Sequence, residues 1–402
     1  MEGTDLPLRS CPVPLSLYFH IPFCKSKCDY CDFYSLPGIS EPIVTCVLEE
    51  ELHRLDLYLS ILNPPSIETL YIGGGTPSSV PPSLLGKFLD GIFRRLPNVP
   101  QESSIEANPE SLSEEFIRVI QSFPLNRLSL GIQTFQSSFF QLFHRTSSPH
   151  INRKALDLLR NRWNRNFSID LLYGIPHGTI QEALADLEEV LEYHPPHLSL
   201  YQLTSEEGTP YGEQVKKGKL PPLSASREEK IRSAWLRRAR EFGLQPYEIS
   251  NLALPGEECR HNLRYWELRP YLGIGPSAVS TLPGKEGRIL RMTETPDVHR
   301  YAEYHAIGLE EISPVTFLKE VFLMGLRTVR GIRRNYFRRL FNLAIEEVVP
   351  NTVERHGEFL PRDETHFSLT DRGRLWLNRI LIDFFDEIDQ YPHPITCAWP
   401  SD

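Results

Sequence analysis

Three cysteines crowd into one short stretch, Cys24-x3-Cys28-x2-Cys31. The remaining four, Cys11, Cys46, Cys259 and Cys397, are scattered. Three thiolates on one loop can hold three irons of a [4Fe–4S] cluster, leaving the fourth iron without a protein ligand. An open metal position of that kind can bind and activate a small molecule. Two other readings stand beside it. A closed zinc site wants four ligands, and His20 could supply the fourth, although no second cysteine pair exists. The blandest reading is three unrelated thiols. Seven cysteines among 402 residues, an odd and sparse count, do not resemble a secreted disulfide scaffold.

Further polar residues sit where chemistry could use them. Gly73-Gly74-Gly75-Thr76-Pro77 lets backbone approach a ligand closely, but is no dinucleotide fingerprint. Glu106 lies in Ile105-Glu106-Ala107-Asn108-Pro109, Gln133 in Gly131-Ile132-Gln133-Thr134-Phe135, and Asp170 in Ile169-Asp170-Leu171-Leu172. Arg145 falls twelve residues after Gln133. A carboxylate can accept ribose hydroxyls or an ammonium, and an arginine can bind a carboxylate. Taken singly, each is first a structural polar residue. Asp170 sits within its strand and Arg145 in a helix-to-loop region, but taken together the set changes that reading.

The elements that must position them are six short apolar runs, each read as a strand: 15–20, 69–73, 103–107, 127–131, 168–172 and 197–201. Helical segments are expected at 42–62, 83–96, 113–122, 152–162 and 180–193. Alternation of strand and helix implies βα units around a parallel sheet. Six units are two short of a closed barrel, so the expected fold is α/β, a partial (β/α)6 barrel; a flat doubly wound sheet is the alternative. In such barrels active sites gather at the C-terminal strand ends, where Cys24, the glycine run, Glu106 and Gln133 fall. The segment 205–224 reads as a polar surface excursion, and 249–256 as a loop. Helices are expected at 227–242, 315–326 and 371–385, with a short strand at 366–369. The domains are therefore a barrel at 1–245, a connecting segment at 246–300 and a small helical, winged-helix-like unit at 301–402.

A formal charge of −9 makes non-specific nucleic-acid binding a poor expectation. No apolar run approaches the ~20 residues of a membrane helix, and no secretory leader is evident, so a cytoplasmic protein is expected. Arg330, Arg333, Arg334, Arg338 and Arg339 read first as a solvated helix face; haem propionates, lipid headgroups and nucleic acid are the anionic alternatives. Peripheral membrane contact is carried as one expectation. His299 and His305 show no metal-ligand pattern.

The run Tyr18-Phe19-His20-Ile21-Pro22-Phe23-Cys24-x3-Cys28-x2-Cys31, with GGGTP at 73–77, resembles the radical S-adenosylmethionine superfamily. Together with IEANP, GIQTF and IDLLYGIP it is similar to the oxygen-independent coproporphyrinogen III oxidase group. That group has an oxidase branch, with a fourth cysteine two residues after the third and a long N-terminal arm, and a HemW-type haem-chaperone branch. Phe33 occupies the fourth-cysteine position here and only 23 residues precede Cys24, which matches the second branch. So does the HNxxYW motif at 261–266.

The resemblance implies a [4Fe–4S] cluster on Cys24, Cys28 and Cys31, with S-adenosylmethionine on the open iron. It implies that Tyr18, Gly74 and Glu106 contact that molecule. It further implies that Tyr30, Gly75, Thr76, Gln133, Arg145, Asp170 and Thr204 occupy positions that contact a second one in the oxidase. The chemistry implied is one-electron cleavage of the sulfonium to a 5′-deoxyadenosyl radical, for which an electron donor is needed. The function implied is haem carriage to an acceptor protein. The alternative is oxidative decarboxylation of coproporphyrinogen III, so whether the protein is an enzyme is left open between the two. His261 is then a candidate haem ligand, with Tyr265 and Trp266 stacking on a porphyrin face and Arg264 meeting a propionate; the alternative is a capped turn packed on the barrel.

Overall fold

A computed structural model describes residues 6–303 and 307–399. The strands expected from the apolar runs are present: β1 (Leu15–Ile21), β2 (Ile67–Gly74), β3 (Glu102–Ala107), β4 (Arg127–Gln133), β5 (Asn166–Tyr173) and β6 (His197–Gln202). They pair parallel in sequence order. Helices Glu41–Leu62, Pro82–Arg95, Glu114–Gln121, Pro149–Arg162 and Ile180–Leu191 fall between them. Their starts are chemically marked. Ser113, Ser148 and Thr179 each accept a backbone N–H of the first turn, and Glu182 completes a capping box with Thr179.

Period-two alternation along these strands divides the molecule. Leu70, Ile105, Leu128, Leu130, Ile169 and Leu198 point outward into one large apolar core shared with the helices. The intervening residues point inward and are mostly polar: Ser104 and Glu106 on β3, Ser129 on β4, Ser168 and Asp170 on β5, Ser199 on β6. The sheet thus encloses a polar interior behind an apolar wall.

Long-range pairing and packing add to or correct the sequence reading at several places. The loop expected at 249–256 contains β7 (Asn251–Ala253), antiparallel to β6. β8 (Tyr271–Ile274) joins the free side of β1 as a seventh parallel strand. Antiparallel β9 (Val279–Pro283), β10 (Ile289–Glu294) and β11 (Ile307–Ile312) extend that edge. The sheet is open, with twelve strands in linear order from β11 to the two-residue strand Gln245–Pro246 beside β7. The excursion at 205–224 is not merely surface. Its helix Pro210–Lys216 buries Tyr211 among Phe139, Phe140 and Phe143, and the Tyr211 N–H donates to the Asp29 carbonyl at 2.9 Å. Finally, the helix expected at 371–385 is two, Asp371–Leu375 and Leu377–Asp389.

The C-terminal part has its own apolar core. Helices Pro314–Gly325, Arg334–Phe341 and Leu377–Asp389 contribute Phe317, Phe322, Phe337 and Phe384. A two-stranded ribbon, Ile332–Arg333 with His366–Phe367, completes it. Arg338 and Arg339 are exposed, as a solvated helix face requires. His305 lies outside the described residues. Among the described residues no helix is long and apolar enough to cross a membrane.

Candidate cofactor site

β1 delivers the chain to the C-terminal end of the sheet, where Phe23–Cys24 pairs with Leu36–Pro37. This short ladder closes the loop that carries all three cysteines. The Cys31 N–H donates to the Cys28 carbonyl at 3.0 Å, a tight turn that holds two thiols near each other. Cys24 Sγ lies 3.4 Å from Thr76 Oγ1. Burial raises the Cys24 thiol and pushes that of Cys31 up to about 11.

The glycine run beneath the loop is required by space. A Cβ on Gly75 would stand 2.9 Å from the Ile21 carbonyl oxygen and the Phe23 nitrogen. One on Gly73 would meet the Glu106 carboxyl at 2.8 Å. Gly74 has a φ of +110°, and its N–H donates to Glu106 Oε2 at 3.2 Å. Tyr71 donates to Glu106 Oε1 at 2.7 Å. Burial pushes the Glu106 carboxyl up to about 7; the Tyr71 hydrogen bond opposes that rise, neighbouring Asp170 adds to it, and the Gly74 N–H again opposes it. Burial raises Asp170 as well, although it accepts from Ser129 Oγ at 3.1 Å to both oxygens.

Arg145 ties the cysteine loop to the barrel. Its guanidinium donates to Tyr30 Oη at 3.0 Å, Asn108 Oδ1 at 3.1 Å and the Gly131 carbonyl at 2.8 Å. Cys28 Sγ is 3.9 Å away. Burial works against its charge, but Tyr30, Glu110 and Cys28 outweigh it, so Arg145 stays cationic. Gln133 ends β4 with a φ of +68°, an uncommon conformation for a side-chain-bearing residue, next to a break in the β4–β5 register.

One cavity of about 390 Å³ collects these groups. Cys24, Cys28 and Cys31 border it together with Tyr30, Gly74, Gly75, Thr76, Glu106, Gln133, Arg145, Asp170 and Thr204. Phe33 stands at its edge, 64% exposed. Two candidates are not brought to it. Tyr18 faces His20, its hydroxyl 2.9 Å from Nδ1, and lies beside the rings of Tyr71 and His261. His261 is 1% exposed, with Nδ1 2.8 Å from Thr69 Oγ1 and Nε2 2.9 Å from Tyr265 Oη. Both of its ring nitrogens are thus engaged, and the ring stacks on Tyr71. Arg264 is likewise taken: it donates to Ser16 and Glu68 and to the Pro14 carbonyl. The motif at 261–266 is thus a packed helix, Arg260–Trp266.

His20, weighed as a fourth ligand, has its Nε2 2.8 Å from the Tyr34 carbonyl and its Nδ1 facing Tyr18. Among the described residues no three His, Cys, Asp or Glu side chains are grouped to hold a single metal ion. Tyr71 orients Glu106, and Asn108 contacts Thr76 and Arg145; neither carries a motif that marks it in the sequence. Inward alternation from Gly73 would have found Tyr71.

Residues 18–190 match the family described as the Radical SAM superfamily, and residues 312–376 match the HemN C-terminal domain. Heme chaperone HemW of Escherichia coli is 32% identical over 379 residues, covering 93% of this chain and 99% of that protein. Its counterpart from Lactococcus lactis is 31% identical over 369 residues, covering 90% and 94%. Radical S-adenosyl methionine domain-containing protein 1, mitochondrial, of Mus musculus is 31% identical over 337 residues, covering 81% and 75%. Among solved structures, coproporphyrinogen III oxidase (HemN) from Escherichia coli superimposes with a TM-score of 0.77 at 20% identity, over 95% of this chain and 91% of that one. That likeness concerns the fold.

Proposed function

The chain belongs to the Heme chaperone HemW family of the radical SAM superfamily, and from that membership we propose that it binds haem and passes it to an acceptor protein. Cys24, Cys28 and Cys31 hold a [4Fe–4S] cluster in this reading, and the cavity beneath them holds S-adenosylmethionine. The residues fit such occupants. Three thiols stand at the rim of one cavity, a side-chain-free glycine cradle lies below them, and buried Arg145 Nε at its wall lacks a partner. When bound, the cluster and S-adenosylmethionine supply one-electron chemistry.

The protein's own residues have separable tasks. Glu106, fixed by Tyr71 and the Gly74 N–H, is an acceptor for ribose hydroxyls. Arg145 holds the cysteine loop against β4 and offers positive charge beside Cys28. The Tyr211 helix covers the loop and restricts access of water and oxygen. An electron donor and a haem acceptor are the partners this function needs. The division at residues 245 and 300 is part of the proposal; β11, within the third segment, still belongs to the sheet.

The observation that carries the haem-carrier reading over the oxidase is Phe33 at the position of the fourth cysteine, beside the cavity. The test uses protein reconstituted anaerobically with its cluster verified by visible absorbance, which Cys24→Ala is expected to abolish. Haem is expected to bind stoichiometrically in a spectral titration. With reductant and S-adenosylmethionine present, coproporphyrinogen III is expected to remain unchanged. Loss of two carboxylates, read by mass spectrometry, would make the protein an oxidase.

A further inference from the structure

Below the level of Glu106 and Asp170 the cavity continues toward the N-terminal ends of the strands, and its floor is cationic. Arg127 opens β4 and is 4% exposed. Gln133 lies six positions further along the same strand, roughly 20 Å at the rise of a strand. It is therefore remote from the cysteine loop.

Arg127 is incompletely satisfied. Its Nη1 donates to the Glu257 carbonyl at 3.1 Å, and Glu102 stands 4.0 Å off. That carboxylate is already engaged by the backbone N–H groups of Arg260 and His261 at 3.0 and 2.9 Å. Arg127 Nη2 is buried without any partner. Ser104, opposite Arg127 in the β3–β4 register, is 1% exposed, and its hydroxyl is also without a partner. Both residues line the cavity. The neighbouring His197 supplies no charge to complete them. Burial lowers it well below its ordinary range, and its ring nitrogens face Ser168 and Tyr247 at 2.7 and 2.8 Å.

Two buried donors on facing strands, Arg127 Nη2 and Ser104 Oγ, border one cavity and lack an acceptor. We propose that this floor is a subsite for a carboxylate, which accepts from Arg127 Nη2 and Ser104 Oγ. A carboxylate offers two oxygens for the two donors, and with Glu102 already 4.0 Å from the guanidinium a monoanion is the least charge that does so. A dianion such as phosphate would in addition meet the carboxyl groups of Glu106 and Asp170 on the level above. The carboxylate has two sources: a free small acid, or an acidic arm of the molecule held higher in the cavity. The second source rests on the haem reading.

The test uses the cluster-loaded protein. In its first arm, thermal unfolding is followed in sodium acetate against sodium chloride at equal ionic strength. Wild type is expected to gain a saturable rise in Tm, lost in Arg127→Met and weakened several-fold in Ser104→Ala. Arg127→Met should fold, because Glu102 keeps its backbone donors; should it fail to, Ser104→Ala, which removes one oxygen, carries the test. In the second arm, haem is compared with its dimethyl ester, which has no free carboxylate. A loss of haem affinity in Arg127→Met, with ester binding unchanged, places the carboxylate on the cargo. An effect confined to acetate makes it a free anion. Equal responses of all three proteins to acetate, with haem affinity indifferent to residue 127, would overturn the subsite. Absence of any haem binding would sink the haem reading alone, since the acetate arm does not depend on it.

Discussion

Glu106 is a cavity-lining carboxyl whose charge state changes near neutrality. Burial pushes its carboxyl up from 4.5 to about 7, so it is protonated below that pH and an acceptor above it. S-adenosylmethionine affinity is therefore expected to fall as pH drops from 8 to 6, measured by calorimetry on the cluster-loaded protein. Glu106→Gln should bind more weakly and show a flat profile; identical profiles in both would remove Glu106 from ribose binding. The linkage has a definite sign. The folded value lies above the unfolded one, so ionisation opposes folding, and the ligand-free protein loses stability as pH rises from 4.5 through 7. His261 behaves differently. Burial, with Arg264 adding, pushes its ring down to about 3, so it is neutral at working pH. His261→Ala is expected to cost about 1–3 kcal/mol in chemical denaturation, because it leaves Thr69 and Tyr265 short of a partner. The Soret band of bound haem should not move. A shifted band would restore His261 as a ligand.

At the scale of elements, the glycine run and the cysteine loop form one unit. Gly75 packs against backbone, which cannot rotate away as a side chain could. Gly75→Ala is expected to displace the loop between Phe23 and Leu36 and to cost about 1–3 kcal/mol, the usual range for overpacking. Iron content after reconstitution is the direct readout, and full cluster loading in the variant would contradict the argument. The strands themselves were legible, because runs such as Arg127-Leu128-Ser129-Leu130-Gly131 carry their own alternation. β8 was not. Its pairing with β1 is chosen by which distant segment satisfies the free edge of β1, a hydrogen-bonding outcome that no local pattern records. The same reason hid β7, whose three residues are too few for any periodicity.

At the scale of the whole molecule, a buried ion pair binds its two flanks. Arg54, on the helix Glu41–Leu62, is 1% exposed and pairs with Glu294 at the end of β10, itself 1% exposed. Tyr58 donates to the same carboxylate at 2.6 Å, and the Arg54 guanidinium lies 3.6 Å from the centre of the Tyr301 ring. Arg54→Met would strand Glu294 without a countercharge. A loss of about 3–5 kcal/mol is expected in equilibrium denaturation. Arg54→Met with Glu294→Gln should recover much of it. A single variant as stable as wild type would show that β9 to β11 hold their place without the pair.

Sequence alone determined the identity of the chemistry: three thiols at a loop spacing, a glycine run, and polar residues at the ends of alternating apolar strands. These are local facts, fixed by covalent order and by the two-residue period of a strand. Tertiary structure decided which polar groups share a cavity. It gathered Cys24, Thr76, Glu106, Gln133, Arg145 and Asp170 from separate units, left Tyr18 and His261 outside the cavity lining, and brought in Tyr71, Ser104 and Arg127. Side-chain destination depends on strand register and on competing hydrogen bonds from distant segments. His261 shows why: nothing in HNLRYW reveals that Thr69 and Tyr265 already occupy both of its nitrogens.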